Sequence, residues 1–219
     1  MSASRAPGAP DVRESGHVNP DEAGGNVYDK YASSNPIERR LVRGFLSEFD
    51  AMVAQTGARE AHEVGCGEGE LARRLAARGL RVRGTDASAE VIAEARARAE
   101  AAGVSAEFRV AAVEELEPAQ DAAELILCCE VMEHLPDPEG ALSVVASLAS
   151  PWAIVSVPRE PLWRGLNLAR LKYLGSLGNT PGHLNHWSRR SFASFLETTF
   201  EVVELRTPVP WTMALCRTR

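Results

Sequence analysis

His62-Glu63-Val64-Gly65-Cys66-Gly67-Glu68-Gly69-Glu70 closes a strand-like run that begins at Glu60 and opens a helix-like run from Glu70 to Arg78. Glycines between a strand and a helix let the backbone take left-handed conformations and let a ligand approach closely. In an open α/β sheet, that turn is where nucleotide-like ligands bind. Spacing narrows the choice. Dinucleotide turns follow G-x-G-x-x-G, whereas here the glycines run G-x-G-x-G and Glu70 stands in the third place. A pyrophosphate also favours the positive end of a helix, and this first turn carries Glu68 and Glu70. Both features count against NAD or FAD and favour a cofactor without phosphates.

Outward from the turn, strand and helix signals alternate. Upstream, Pro36 suits a first helical position, and Ile37, Leu41, Val42, Phe45, Leu46, Phe49, Met52 and Val53 fall on one helical face, with Gly57 as the stop. Downstream, Arg81 to Asp86 reads as a strand. Ser88 caps a helix to Ala102 in which Glu94 and Arg98 pair, and Gly103 ends it. Glu107 to Val113 and the apolar run Leu125 to Cys129 read as strands. Asp137-Pro138 opens a helix that stops before Pro151, and Trp152 to Val157 is the next strand. Ser188 caps a helix carrying Phe192, Phe195 and Leu196, followed by strands at Phe200 to Arg206 and Trp211 to Cys216. The alternation predicts an α/β fold: a Rossmann-like, mostly parallel sheet of seven strands, helices on both faces and an antiparallel C-terminal hairpin. Asp86, ending the second strand, is placed to accept hydrogen bonds from two ribose hydroxyls.

Residues 1–24 are rich in Ala, Gly, Pro, Ser and charge, which predicts a disordered tail before a single domain over 25–219. The 219 residues are 45% apolar with a formal charge of −6, so there is no global basic field to gather nucleic acid. No run approaches the roughly 18 apolar residues of a membrane span, and no secretory pattern opens the chain, so a cytoplasmic protein is expected. Cys66, Cys128, Cys129 and Cys216 lack metal-knuckle spacing and read as free core thiols.

Cys129-Glu130-Val131-Met132-Glu133-His134-Leu135-Pro136 follows the fourth strand, at the edge where catalytic groups gather. In one helical turn Glu130, Glu133 and His134 would converge. The residues allow a divalent-metal site such as magnesium, a general base at His134, or carboxylates that only cap and pair locally. The segment from Arg159 to Trp187 is too long for an ordinary connection and reads as a lid-like insert. Within it, Leu162 to Leu174 interleaves apolar residues with Arg164, Arg170 and Lys172. That pattern suits a lid over a hydrophobic acceptor, a peripheral contact with lipid, or a packed helix with solvated basic residues. Turns at Gly178 to Gly182 would bring His183 back toward the site, with His186 close by.

On the glycine turn and Asp86, the chain from Asn35 onward resembles class I S-adenosylmethionine-dependent methyltransferases. The resemblance implies that Glu63, Gly65, Gly67 and Gly69 line the methionine and ribose, and that Asp86 and Ala87 lie at the ribose. It places Ala112 and Val113 beside the adenine, with Cys129, Tyr31 and Arg39 also at the cofactor and Tyr28 and Lys30 nearby. Many relatives have Asp where Ala112 stands, and Glu114 or a backbone carbonyl would then have to serve the adenine amino group. The Glu-x-x-Glu-His run is similar to two branches: the ubiquinone-biosynthesis O-methyltransferases and the methyltransferases of the 3′-terminal 2′-hydroxyl of small RNAs. In the RNA branch a further His, four residues before a Trp-Thr pair, completes a magnesium site, and here His183 precedes Trp187-Ser188. The expected set is therefore Glu130, Glu133, His134 and His183 for metal, with His134 and His183 for proton removal. The leading expectation is O-methylation of a small hydrophobic hydroxyl compound, with nucleic acid disfavoured by charge. Metal-assisted RNA 2′-O-methylation and an inactive cofactor-binding regulatory protein are the alternatives.

Overall fold

The computed structural model describes residues 35–169, 177–180 and 182–219. The tail at 1–24, Tyr28, Lys30, Tyr31, Arg170, Lys172, Tyr173 and Pro181 lie outside the described residues. Helix α1 (Pro36–Thr56) starts where Asn35 Oδ1 accepts the Ile37 amide and ends at Gly57, whose φ of 63° is left-handed. One face of α1 buries Val42, Phe45, Phe49, Met52 and Val53. Each large side chain so buried contributes about 1.5–3 kcal/mol. Ile37, which the pattern places on that face, stays exposed.

Then follow β1 (Glu60–Val64), α2 (Glu70–Ala76), β2 (Arg81–Asp86), α3 (Ala89–Ala101) and β3 (Glu107–Val110). A 3-10 turn at Val113–Glu115 leads to α4 (Pro118–Asp121) and β4 (Ala123–Cys129), and a second turn at Met132–His134 to α5 (Pro138–Leu148). The chain continues through β5 (Ala149–Pro158), α6 (Leu162–Ala169), α7 (Arg189–Leu196), β6 (Phe200–Arg206) and β7 (Trp211–Thr218). Side chains cap several helices: Ser88 accepts from Val91 N, Asp137 from Gly140 N and Ser188 from Ser191 N.

The seven strands form one sheet in the order β3-β2-β1-β4-β5-β7-β6. The first five in that order run parallel, and β7 is antiparallel to both β5 and β6. Alternation along β4 divides the core: Leu125 and Leu127 pack with α1, α2 and α3, while Ile126 and Cys128 pack with α5 and α7. Helices therefore cover both faces. Strand order reverses between β1 and β4, so a crevice opens beyond their carboxyl ends.

Several element ends differ from the sequence reading by a few residues, and one helix is new. Strand β3 stops at Val110 because the chain curls into the 3-10 turn at Val113–Glu115. Helix α4, set off by Pro118 at its start, has no counterpart in the periodicity. Strand β5 begins at Ala149 rather than Trp152, because Ala149 already pairs with Ala123 before a register shift. All four cysteines are buried free thiols. Among the described residues no helix is long and apolar enough to cross a membrane.

Candidate active site

Inside the crevice, Gly65, Gly67 and Gly69 all have positive φ, between 51° and 72°. At Gly65 a Cβ would also collide with the Val131 side chain, and at Gly69 it would lie 2.8 Å from the Phe108 ring. Glycine is therefore required at both on conformation and on space. Backbone bonds fix the turn: Cys66 N–H donates to Thr85 O and Gly69 N–H to Cys66 O, each at 2.9 Å. Asp86 braces it from β2, its Oδ2 accepting Gly67 N–H and its Oδ1 accepting Ser88 N–H, each at 3.0 Å. Each carboxylate oxygen keeps a second lone pair for a ligand. Ala87, beside Asp86, is exposed.

Glu63 closes the floor of the turn, with 4% of its surface exposed, and its Oε2 accepts Ala72 N–H at 2.8 Å. Burial raises its pKa to about 8, with the negative charges of Glu70 and Asp86 adding to the effect. A cation arriving beside Glu63 would favour the ionised form. Behind it, fully buried His62 on β1 reaches α4 and β2: Nδ1 bonds Asp121 O at 2.8 Å and Nε2 bonds Thr85 Oγ1 at 3.0 Å. A carbonyl only accepts, so Nδ1 carries the proton and Thr85 donates to Nε2.

On the far side of β2, Ala112 is half-buried and Val113 buried. The Ala112 N–H donates to Glu115 Oε2 at 2.8 Å, so the backbone here is fixed by Glu115. An acid three residues into a turn is a capping signal that the sequence carries. Cys129 ends β4, buried. Arg39 is exposed on α1, and its carbonyl accepts Arg43 Nε at 3.3 Å.

Beyond β4, Glu133, His134 and His183 each offer a ligand atom, all within 4.8 Å of one another. Glu130 does not join them. Its φ of 63° breaks the helical path before Met132, so the expected single turn with Glu133 and His134 does not form. Its carboxylate instead accepts Ser156 Oγ at 3.2 Å and Trp211 Nε1 at 2.5 Å. The metal set expected from sequence thus loses Glu130. His134 Nδ1–H donates to Gly182 O at 3.0 Å, which turns the Nε2 lone pair away from that bond. Burial, followed by the nearby His134, His186 and Arg164, lowers the pKa of His183 to about 4. His183 is therefore a neutral imidazole at neutral pH. His186 Nε2 bonds Asn179 Oδ1 at 2.6 Å and stands outside the group.

Aromatic rings join this cluster to the core. Ring centroids lie 5.2 Å apart for Phe45 and Trp211, 6.0 Å for Trp211 and Trp163, 6.1 Å for Trp163 and His183, and 5.0 Å for His183 and His134. The described ends of the insert are tied together: Trp163 Nε1–H donates to Thr180 Oγ1 at 2.9 Å and Asn167 Nδ2–H to Gly178 O at 2.9 Å. Thr180 here, and Ser156 and Trp211 on Glu130, are site partners that local sequence does not single out.

Residues 61–151 match the sequence profile of a family described as a methyltransferase domain. The chain is 35% identical over 109 residues to a ubiquinone biosynthesis O-methyltransferase of Hahella chejuensis, a match covering 49% of this chain and 45% of that protein. The protein of the same name from Xanthomonas axonopodis pv. citri is 31% identical over 136 residues, with 60% and 56% covered. The chain thus spans about half the length of these curated relatives. Magnesium protoporphyrin IX methyltransferase from Synechocystis PCC 6803 with bound S-adenosylhomocysteine superposes with a TM-score of 0.66 at 20% identity, covering 87% of this chain and 91% of that one. The methyltransferase domain of bacterial CtHen1-CN gives 0.64 at 18% identity, covering 81% and 99%. Residues 61–151 are thus similar in sequence to a methyltransferase domain, and the chain around them shares the Rossmann-like fold of these solved structures.

Proposed function

We propose that the chain transfers the methyl group of S-adenosylmethionine to a hydroxyl oxygen of a small, hydrophobic acceptor. The observation that carries this reading is the glycine turn between Glu63 and Asp86 at the β1/β4 crevice. Asp86 would hold the ribose hydroxyls, and Glu63 would face the cationic end of the cofactor and ionise as it binds. Methyl transfer is an in-line displacement at a sulfonium carbon, so alignment and exclusion of water supply much of the rate. The insert, tied at its neck by Trp163–Thr180 and Asn167–Gly178, serves as the lid.

The acceptor hydroxyl must lose its proton, and His134 Nε2 is the base the geometry favours. In a second arrangement Glu133, His134 and His183 would hold a divalent cation, with His134 Nε2 as ligand instead of base, since their donor atoms lie within 4.8 Å of one another and His183 is neutral. Held there, a divalent ion would lower the pKa of a hydroxyl that it binds. One carboxylate and two imidazoles suit manganese, iron or zinc better than magnesium, which prefers oxygen ligands. The same cluster would serve RNA 2′-O-methylation, and the acceptor separates the two readings.

Calorimetry with S-adenosylmethionine, followed by transfer of labelled methyl into fractionated cell extract, tests the proposal. Binding and label in a small organic product are expected. No binding of the cofactor or of S-adenosylhomocysteine overturns the reading. Label in RNA moves it to the second acceptor class, and binding without transfer moves it to a regulatory role.

A further inference from the structure

Residues 182–185 lie along the 3-10 turn that carries Glu133 and His134, and the bonds between the two stretches converge on Asn185. Its carboxamide donates to Leu135 O at 2.7 Å and to Met132 O at 3.2 Å. Its backbone N–H donates to Glu133 O at 3.1 Å, beside Leu184 N–H on the same carbonyl at 2.8 Å. The His134 bond to Gly182 O completes the seam. A primary amide is the one uncharged side-chain group with two hydrogens on a single nitrogen, which is what two separate carbonyls of one turn require. With residue 185 fixed on the turn, His183 two residues earlier is fixed as well, its ring 5.0 Å from that of His134.

We infer that Asn185 is a positioning residue for methyl transfer: it seats the returning end of the insert on the Glu133–His134 turn and so assembles the three-residue cluster. The inference rests on the function proposed above. Asn185 touches neither the glycine turn nor Asp86 in the bonds described, so cofactor binding is separable from its role.

The experiment compares Asn185→Ala, Asn185→Asp and Asn185→Gln with the unmodified chain. Four quantities are read: S-adenosylhomocysteine affinity by calorimetry, kcat and cofactor KM for labelled transfer into one fixed extract fraction, and the NMR NOE between the His134 and His183 rings. The Ala and Asp variants are expected to hold cofactor affinity and KM within about twofold while kcat falls about 10- to 100-fold. Both should lose the ring NOE. The Gln variant, which keeps both amide hydrogens, should recover part of kcat. An unchanged kcat in Asn185→Ala, a persisting NOE, or cofactor affinity that falls in step with kcat overturns the inference. If the unmodified chain transfers no methyl, the proposed function fails, and the NOE comparison alone decides the place of Asn185.

Discussion

Glu63 shows how one buried carboxyl couples stability to binding. Its folded pKa, about 8, lies above the ordinary glutamate value of 4.5, so between those values the folded chain holds a proton that the unfolded chain has released. Its contribution to stability therefore falls as pH rises through that window. Glu63→Gln keeps an oxygen for the Ala72 amide and removes the titration. Thermal melts should place the variant above the unmodified chain at pH near 8, with calorimetry showing cofactor affinity weakened by about tenfold or more. Affinity of the unmodified chain should rise with pH toward about 8 and be flat in the variant. A rise that survives Glu63→Gln would assign it to another group. His62 works in the opposite direction. Burial holds its pKa below 6.5, so below that pH the unfolded chain takes up a proton that the folded chain refuses. Stability is lost as pH drops, and His183, also lowered, adds to the loss. Melting temperatures between neutral and mildly acid pH should fall less steeply in His62→Gln than in the unmodified chain.

At the scale of elements, the glycine turn is limited by two separate constraints. Gly65→Ala places a Cβ in left-handed backbone and against Val131, and should destabilise the chain by about 1–3 kcal/mol while abolishing cofactor binding. Adding Val131→Ala removes the collision but not the dihedral, so denaturant melts should show partial recovery. Full recovery would mean that space alone required the glycine. A second element-level prediction concerns Trp211 on β7. Trp211→Phe keeps a ring against Phe45 but deletes a donor to Glu130, a loss of about 1–3 kcal/mol. Equal stability of the two forms would contradict that weight. These elements also mark what the sequence discloses. The first-turn proline at Pro36, the caps at Ser88, Asp137 and Ser188, the stop at Gly57 and the glycine spacing were readable because their chemistry acts within a few residues. Glu130 misled because its fate is decided by Trp211, 81 positions away in the chain. Asn185 was silent for the same reason: its partners at Met132 and Leu135 meet it only once the insert returns.

For the whole molecule, the net charge of −6 argues that acceptor binding does not rest on phosphate contacts. Transfer rates should therefore change little with added salt, whereas an RNA acceptor would give a steep loss. Prolonged chelation should lower kcat, leave cofactor affinity intact and be reversed by manganese. Full activity in chelator would remove the metal from the scheme. The sheet order carries a consequence for synthesis. Strand β7 is made after β6 yet lies between β5 and β6. Until it emerges from the ribosome, β5 presents an open parallel edge, β6 has no neighbour to zip against, and Glu130 waits for the indole that fixes it. A nascent chain is thus exposed to mispairing at that edge and unable to finish the crevice around Glu130, so chaperone contact during translation should concentrate on the interval between residues 158 and 211.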